Sequence, residues 1–228
     1  MYKLHFVNGR SLIIDLHLNG KTILVIGAGN EALKRIKLLE PEDCKIIVIG
    51  EKPHPEIIKF SKQKKIRLEK TKFTSTKTLK KIKPFLVIAS TSDSSLNQKI
   101  IDTAKKMKIL AYASDSPDSS DISYLSIIDF KNTIKVGIST SGSSPIMAKK
   151  IKSKTEKFLQ KNISKNDLEL IKIQKFARNE SRKFISSQIE RKKFLYAIMN
   201  DKRVKELLKD GKYMRIRTVI KKMVKDWK

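Results

Sequence analysis

The chain has 228 residues, is 39% hydrophobic and contains no run of 18 consecutive apolar residues, so it can build one or two cores but offers no membrane-spanning segment. Its 51 Lys+Arg against 23 Asp+Glu give a formal charge of +28, which calls for an acidic ligand or partner to be considered. The only cysteine, Cys44, excludes an internal disulfide and a cysteine-built metal site; His5, His17 and His54 lack metal-ligand spacing, so no metal is expected.

In chain order, MYKLHFVNGRSLIIDLHLNGK breaks its apolar positions with polar and charged residues, unlike a secretory signal, and a cytoplasmic location is expected. TILVIG (22–27), CKIIVIG (44–50), FLVIAS (85–90) and ILAYAS (109–114) are continuous Ile- and Val-rich runs that predict strands buried on both faces. Amphipathic segments at about 29–39, 55–64, 75–82 and 94–107 fall between them and predict helices. This alternation is that of a parallel, doubly wound α/β sheet. ISYLSII (122–128) and IKVGIST (134–140) follow with no helix between them, and either extend the sheet or cross to a partner.

Six prolines end at Pro145, and seven of the eight glycines precede residue 143. From there IMAKKIKSKTEKFL, the long stretch LELIKIQKFARNESRKFISSQIERKKFLYAIMN, VKELL and IRTVIKKMVKDW repeat apolar residues at three- and four-residue spacing, which predicts a small all-helical domain. The expected division is 1–114 for a Rossmann-like domain, 115–150 for a strand and turn segment, to which the family resemblance given below assigns dimerisation and substrate, and 151–228 for a basic helical domain. That last part carries 24 Lys+Arg against 9 Asp+Glu. Elsewhere the lysines are scattered, with no Arg/Gly tract and few interleaved aromatics, so a solvated surface accounts for most of them and nucleic acid is not the expected partner.

The candidate cofactor motif is VIGAGNEALKRIKLL, with the pattern Gly27-x-Gly29-x-x-Ala32. A first glycine turns tightly off the strand, a second lets a pyrophosphate approach the backbone, and a small third residue lets the helix pack while its N-terminus faces the anion. Gly27, Ala28, Gly29, Asn30 and Glu31 are therefore candidate cofactor contacts, the competing reading being a plain strand-to-helix junction. Glu51, after the second strand, is a candidate for the ribose hydroxyls and favours NAD over NADP, although Lys52 beside it works the other way. Ser90, Thr91, Ser92 and Asp93 stand where the end of the FLVIAS run should meet the cofactor; they could equally cap the following helix.

In order, LNGKTILVIGAGNEALKRIKLL, VIASTSDSSLNQKI, YASDSPDSSDISYLSIID and IKVGISTSGSSPIMAKKIK resemble the precorrin-2 dehydrogenase family, the dehydrogenase part of siroheme synthases. The resemblance covers roughly residues 10–160, and ASTSD-x-x-x-N and IST-x-G-x-SP are its most specific strings. It implies NAD-dependent oxidation of precorrin-2, a tetrapyrrole polycarboxylate, to sirohydrochlorin by a homodimer. Iron insertion is left open as a second activity.

By the same resemblance Asp115 is the catalytic proton-handling aspartate, though Asp before Ser-Pro also commonly opens a turn. Thr140, Ser141, Gly142, Ser143 and Ser144 become the substrate segment; Ser143 or Ser144 can also cap a helix beginning at Pro145, leaving its N–H groups toward a carboxylate. Two departures stand near the expected tetrapyrrole pocket. Tyr112 occupies a position where the family usually has Asn, and Leu125-Ser126 one where it has Pro-Ser. The competing class is a non-catalytic NAD- or tetrapyrrole-binding module whose basic helices contact an acidic partner such as nucleic acid.

Overall fold

The computed structural model describes residues 12–227. His5 and the first eleven residues of the segment weighed as a signal lie outside the described residues. The chain forms two compact units, one spanning Leu12–Tyr124 and the other, in its described part, beginning at Leu125. The division falls between Tyr124 and Leu125, whereas the sequence suggested breaks after 114 and 150. Residues 115–124 go with the sheet because Ser120 and Asp121 are hydrogen-bonded to its last strand.

The first unit runs β1 (Thr22–Ile26), α1 (Asn30–Leu39), β2 (Lys45–Ile49), α2 (Pro55–Lys62), β3 (Arg67–Glu69), α3 (Lys77–Ile82), β4 (Leu86–Ala89), α4 (Ser94–Lys106) and β5 (Leu110–Ala113). The strands form one parallel sheet in the order β3-β2-β1-β4-β5. Alternate residues of β1 separate the two faces. Ile23 and Val25 pack with Ala32, Leu33 and Ile36 of α1 and Ile57 of α2; Leu24 and Ile26 pack with Leu79 of α3 and Ile100, Ile101 and Ala104 of α4. Burial on both faces explains why the central strands read as unbroken apolar runs.

Strand β3 escaped the sequence reading because it is a three-residue edge strand, Arg67-Leu68-Glu69, held by backbone pairing to Ile47–Ile49. At the opposite edge, β5 is closed by its own following loop. Ser120 Oγ accepts from the Ala113 N–H at 2.9 Å, and Asp121 accepts from the Ala111 N–H at 3.0 Å while its own N–H donates to the Ala111 carbonyl at 2.8 Å. The edge amides are thus satisfied within the chain.

In the second unit β6 (Ser126–Phe130) and β7 (Ile134–Ile138) pair antiparallel as a separate two-stranded sheet, so these runs do not extend the parallel one. Lys131 and Asn132 at the bend both adopt positive φ, as a tight hairpin turn requires. Then come α5 (Pro145–Asn162), α6 (Lys165–Phe184), α7 (Gln188–Asn200), α8 (Lys202–Lys209) and α9 (Tyr213–Lys225). Leu159 of α5 packs on Ile128 and Phe130 of β6, while Ile173, Ala177, Phe194, Ile198, Val204, Ile216 and Ile220 close a core among α6–α9. The long helical stretch expected over 168–200 is broken at Ile185–Ser187: Ser187 accepts from the Glu190 N–H and starts a new helix, and Ile185 turns inward to 7% exposure. Among the described residues no helix is long and apolar enough to cross a membrane.

Candidate functional site

The strand order reverses between β1 and β4, and in an open parallel sheet the crevice at the carboxyl ends of such a pair is where ligands bind. The turn leaving β1 meets the turn leaving β4 there. Ser90 donates its N–H (2.8 Å) and its hydroxyl (3.4 Å) to the Ile26 carbonyl, tying the two strand ends together. Gly27 lies beside this tie with φ +107°, and a Cβ on it would stand 2.3 Å from the Ser90 carbonyl oxygen. Only glycine fits, for a reason internal to the fold.

Gly29 is different. Its φ of −85° is open to any residue, yet a Cβ there would meet nothing within 4 Å. It stands at the N-cap of α1, which no side chain caps. An exposed glycine before an uncapped helix N-terminus provides room and N–H donors for a phosphate group. The residues therefore fit a dinucleotide pyrophosphate, held by the backbone of Gly27–Glu31. The Glu31 side chain turns along the helix to Lys34, leaving its backbone as the relevant part. Ala28 is buried, and Gly50, which the sequence reading passed over, braces it: a Cβ on Gly50 would come within 2.5 Å of the Ala28 Cβ. The His54 N–H donates to the Ala28 carbonyl at 2.8 Å, and its ring accepts from the Glu56 N–H to cap α2. Glu51 is exposed immediately beyond β2.

At the ends of β4 and β5 the structure joins residues that the sequence reading kept apart. Asn97 of α4 is 1% exposed and uses its whole amide. Its Oδ1 accepts from the Thr91 N–H (3.1 Å) and hydroxyl (2.8 Å); its Nδ2 donates to the Thr91 carbonyl (3.1 Å) and to Asp115 Oδ2 (3.0 Å). Asn97 is the last letter of the ASTSD-x-x-x-N string, but without coordinates nothing showed that it reaches Asp115. Burial raises the Asp115 carboxyl, and hydrogen bonds from Ser94, Asn97 and the backbone outweigh it, so its pKa lies below the ordinary carboxylate value. Asp115 is exposed and is an anion at neutral pH. Asp93 accepts from the Leu96 N–H as the N-cap of α4, and Ser92 is exposed beside it.

Tyr112 points inward from β5. Its hydroxyl accepts from Arg35 of α1 at 2.8 Å, its ring meets Tyr124 edge-on at 4.8 Å, and the Arg35 guanidinium lies 4.2 Å from the Tyr124 ring centre. Burial pushes the Tyr124 hydroxyl up to about 12, with the Arg35 charge opposing that shift. This stack fixes α1, and so the glycine turn, against the end of β5.

In the second unit Thr140–Ser144 form a compact turn entering α5. Thr140 Oγ1 accepts from the Ser144 N–H at 3.1 Å, and Ser144 Oγ accepts from the Met147 N–H at 3.2 Å, with Pro145 at the first helical position. Ser144 is thus the cap, while Ser141 and Gly142 take positive φ and Ser143 is exposed. No group of three or more His, Cys, Asp or Glu able to hold a metal occurs among the described residues.

A five-stranded parallel sheet with a glycine turn at its switch point defines a Rossmann-type dinucleotide-binding protein. Residues 14–126 match the family described as putative NAD(P)-binding, so the cofactor class of this domain is a nicotinamide dinucleotide. The chain is 32% identical over 146 residues to a siroheme synthase of Nitrosococcus oceani, covering 64% of this chain and 30% of that one. It is 29% identical over 212 residues to the siroheme synthase of Buchnera aphidicola, covering 93% of this chain and 43% of that one. A solved precorrin-2 dehydrogenase, SirC, shares the fold with a TM-score of 0.65 at 22% identity, over 93% of this chain and 100% of that one. The chain is thus similar in sequence to siroheme synthases and in fold to a precorrin-2 dehydrogenase. It spans less than half the length of these siroheme synthases.

Proposed function

We propose that the protein oxidises precorrin-2 to sirohydrochlorin with NAD⁺ as acceptor, as a step of siroheme biosynthesis. The observation that carries this reading is the Asp115 carboxylate just beyond β5, held by the buried Asn97 of α4, in the unit whose sheet bears the Gly27–Glu31 turn at its switch point. Bound NAD⁺ supplies a hydride acceptor. The reaction removes one hydride and one proton from the tetrapyrrole, giving NADH, H⁺ and sirohydrochlorin. Asp115, ionised before substrate arrives, takes the proton; Asn97 fixes the carboxylate oxygen that receives it. Glu51 accepts from the ribose hydroxyls and disfavours a 2′-phosphate, which selects NAD over NADP.

Thr140–Ser144 with the start of α5 receive a substrate carboxylate, supported by the turn geometry and by the positive end of an 18-residue helix. We place the protein in the cytoplasm as a homodimer. The motive for the dimer is the exposed apolar set Ile127, Ile146, Met147, Ile151 and Phe158 on β6 and α5.

The test is turnover of precorrin-2 with NAD⁺ by the wild type and by Asp115→Ala and Asn97→Ala. Asp115→Ala should lower kcat by about 10²-fold or more, the range for loss of a general base. Asn97→Ala should lower kcat and move the acid limb of its pH profile upward, because the carboxyl loses a hydrogen bond that keeps it ionised. Unchanged turnover in Asp115→Ala removes the residue from the mechanism. Iron insertion into sirohydrochlorin, assayed on the same variants, separates the second activity from the first.

A further inference from the structure

Arginine is scarce in this chain: nine residues among its 51 Lys+Arg. Among the described residues, Arg35 is stacked on Tyr112 and Tyr124, Arg67 and Arg203 are paired with Glu69 and Asp201, and Arg217 lies over the Phe176 ring. Three others, Arg178, Arg182 and Arg191, line a single open cavity of about 510 Å³ between α6 and α7 together with Lys192. Ile189 and Leu195 supply an apolar wall, and no acidic residue lines the cavity.

A surface rich in lysine explains lysines but not a concentration of the rarer cation. Arg178 and Arg182 are one helical turn apart on α6, a spacing at which like charges repel. Arg191 is anchored: its Nη1 donates to the Ile185 carbonyl at 2.8 Å and the Ser186 carbonyl at 2.7 Å, so its guanidinium is oriented before any ligand arrives. Planar forks preset in this way match carboxylate and phosphate oxygens two at a time.

We propose that this cavity binds a small organic polyanion, its carboxylate or phosphate groups on the arginines and its apolar frame against Ile189 and Leu195. No aromatic side chain lines it for base stacking, which favours a compact ligand over a nucleic-acid strand. The inference stands on the second unit alone and does not depend on the dehydrogenase reading.

The experiment titrates the whole protein with citrate and, separately, with inorganic pyrophosphate at physiological salt, following the arginine side-chain N–H signals by NMR. Saturable shifts of the Arg191 signal are expected, and the tighter of the two compounds assigns carboxylate or phosphate. The double change Arg178→Gln, Arg182→Gln should weaken binding by about tenfold or more, as for loss of charged hydrogen bonds. Lys209→Gln with Lys221→Gln removes the same charge elsewhere in the unit and should leave affinity within about twofold; a circular-dichroism melt checks that both variants fold. Equal weakening by the two double variants, absence of saturable shifts with either compound, or duplex DNA displacing citrate with equal loss in both variants overturns the proposal.

Discussion

The two glycines of the turn serve different ends. Gly27 is demanded by the protein, since its positive φ and its contact with the Ser90 carbonyl leave no room for a methyl group. Gly29 meets no such demand, since a Cβ there would stand in open space, and in the proposed reading that space admits the pyrophosphate. Gly27→Ala should therefore destabilise the first unit by at least about 1–3 kcal/mol from backbone strain alone. Gly29→Ala should leave the melting temperature nearly unchanged while weakening NAD⁺ binding by about tenfold, measured by calorimetry, because the new methyl holds the pyrophosphate off the backbone. Equal loss of stability in both variants would contradict this division of labour. The glycine pattern was legible in the sequence because its spacing reflects backbone geometry. The Asn97–Asp115 bond was not, because it joins side chains 18 residues apart through a helix turn and a strand end.

At the scale of elements, the buried strands and their helices were readable, since burial on both faces forces unbroken apolar runs at β1, β2, β4 and β5. Edge strand β3 was not, because it is three residues long, turns only Leu68 to the core, and its side chains Arg67 and Glu69 pair with each other. The break between α6 and α7 had a local signal, Ser187-x-x-Glu190, hidden inside a helical periodicity that continues through it. Tyr112 shows how a departure from a family pattern acquires a physical reason. In place of the usual Asn stands a ring, 6% exposed, that joins Arg35 and Tyr124. Tyr112→Asn should destabilise the first unit by about 3 kcal/mol, as for truncation of a buried aromatic, with chemical denaturation as the measurement. A change below about 1 kcal/mol would mean that the stack does not hold α1 to β5.

For the whole molecule, the formal charge of +28 sets the response to acid. In the second unit Asp167, hydrogen-bonded by Ser164, and Glu190, Asp201 and Asp210, hydrogen-bonded by Lys193, Arg203 and Lys212, have carboxyls below their ordinary values. A lowered folded pKa adds stability that is present above the unfolded value, about 4, and lost as pH falls through the folded one. Each contribution is small at these exposed positions, but all four have the same sign, and protonation adds to the net positive charge. The melting temperature of the helical unit should fall steadily below about pH 4, followed by far-UV circular dichroism. A melting temperature flat from neutral pH into that range would contradict the assignment.

In the proposed function the glycine turn and the Asn97-held Asp115 carboxylate serve one reaction, the oxidation of precorrin-2. It is tested most directly by mixing the purified protein with precorrin-2 and NAD⁺ under anaerobic conditions and following both products by absorbance. Sirohydrochlorin and NADH should form together in equal amounts, with neither appearing when NAD⁺ is omitted. Sirohydrochlorin formed at the same rate without NAD⁺, or no product with it, would contradict the claim.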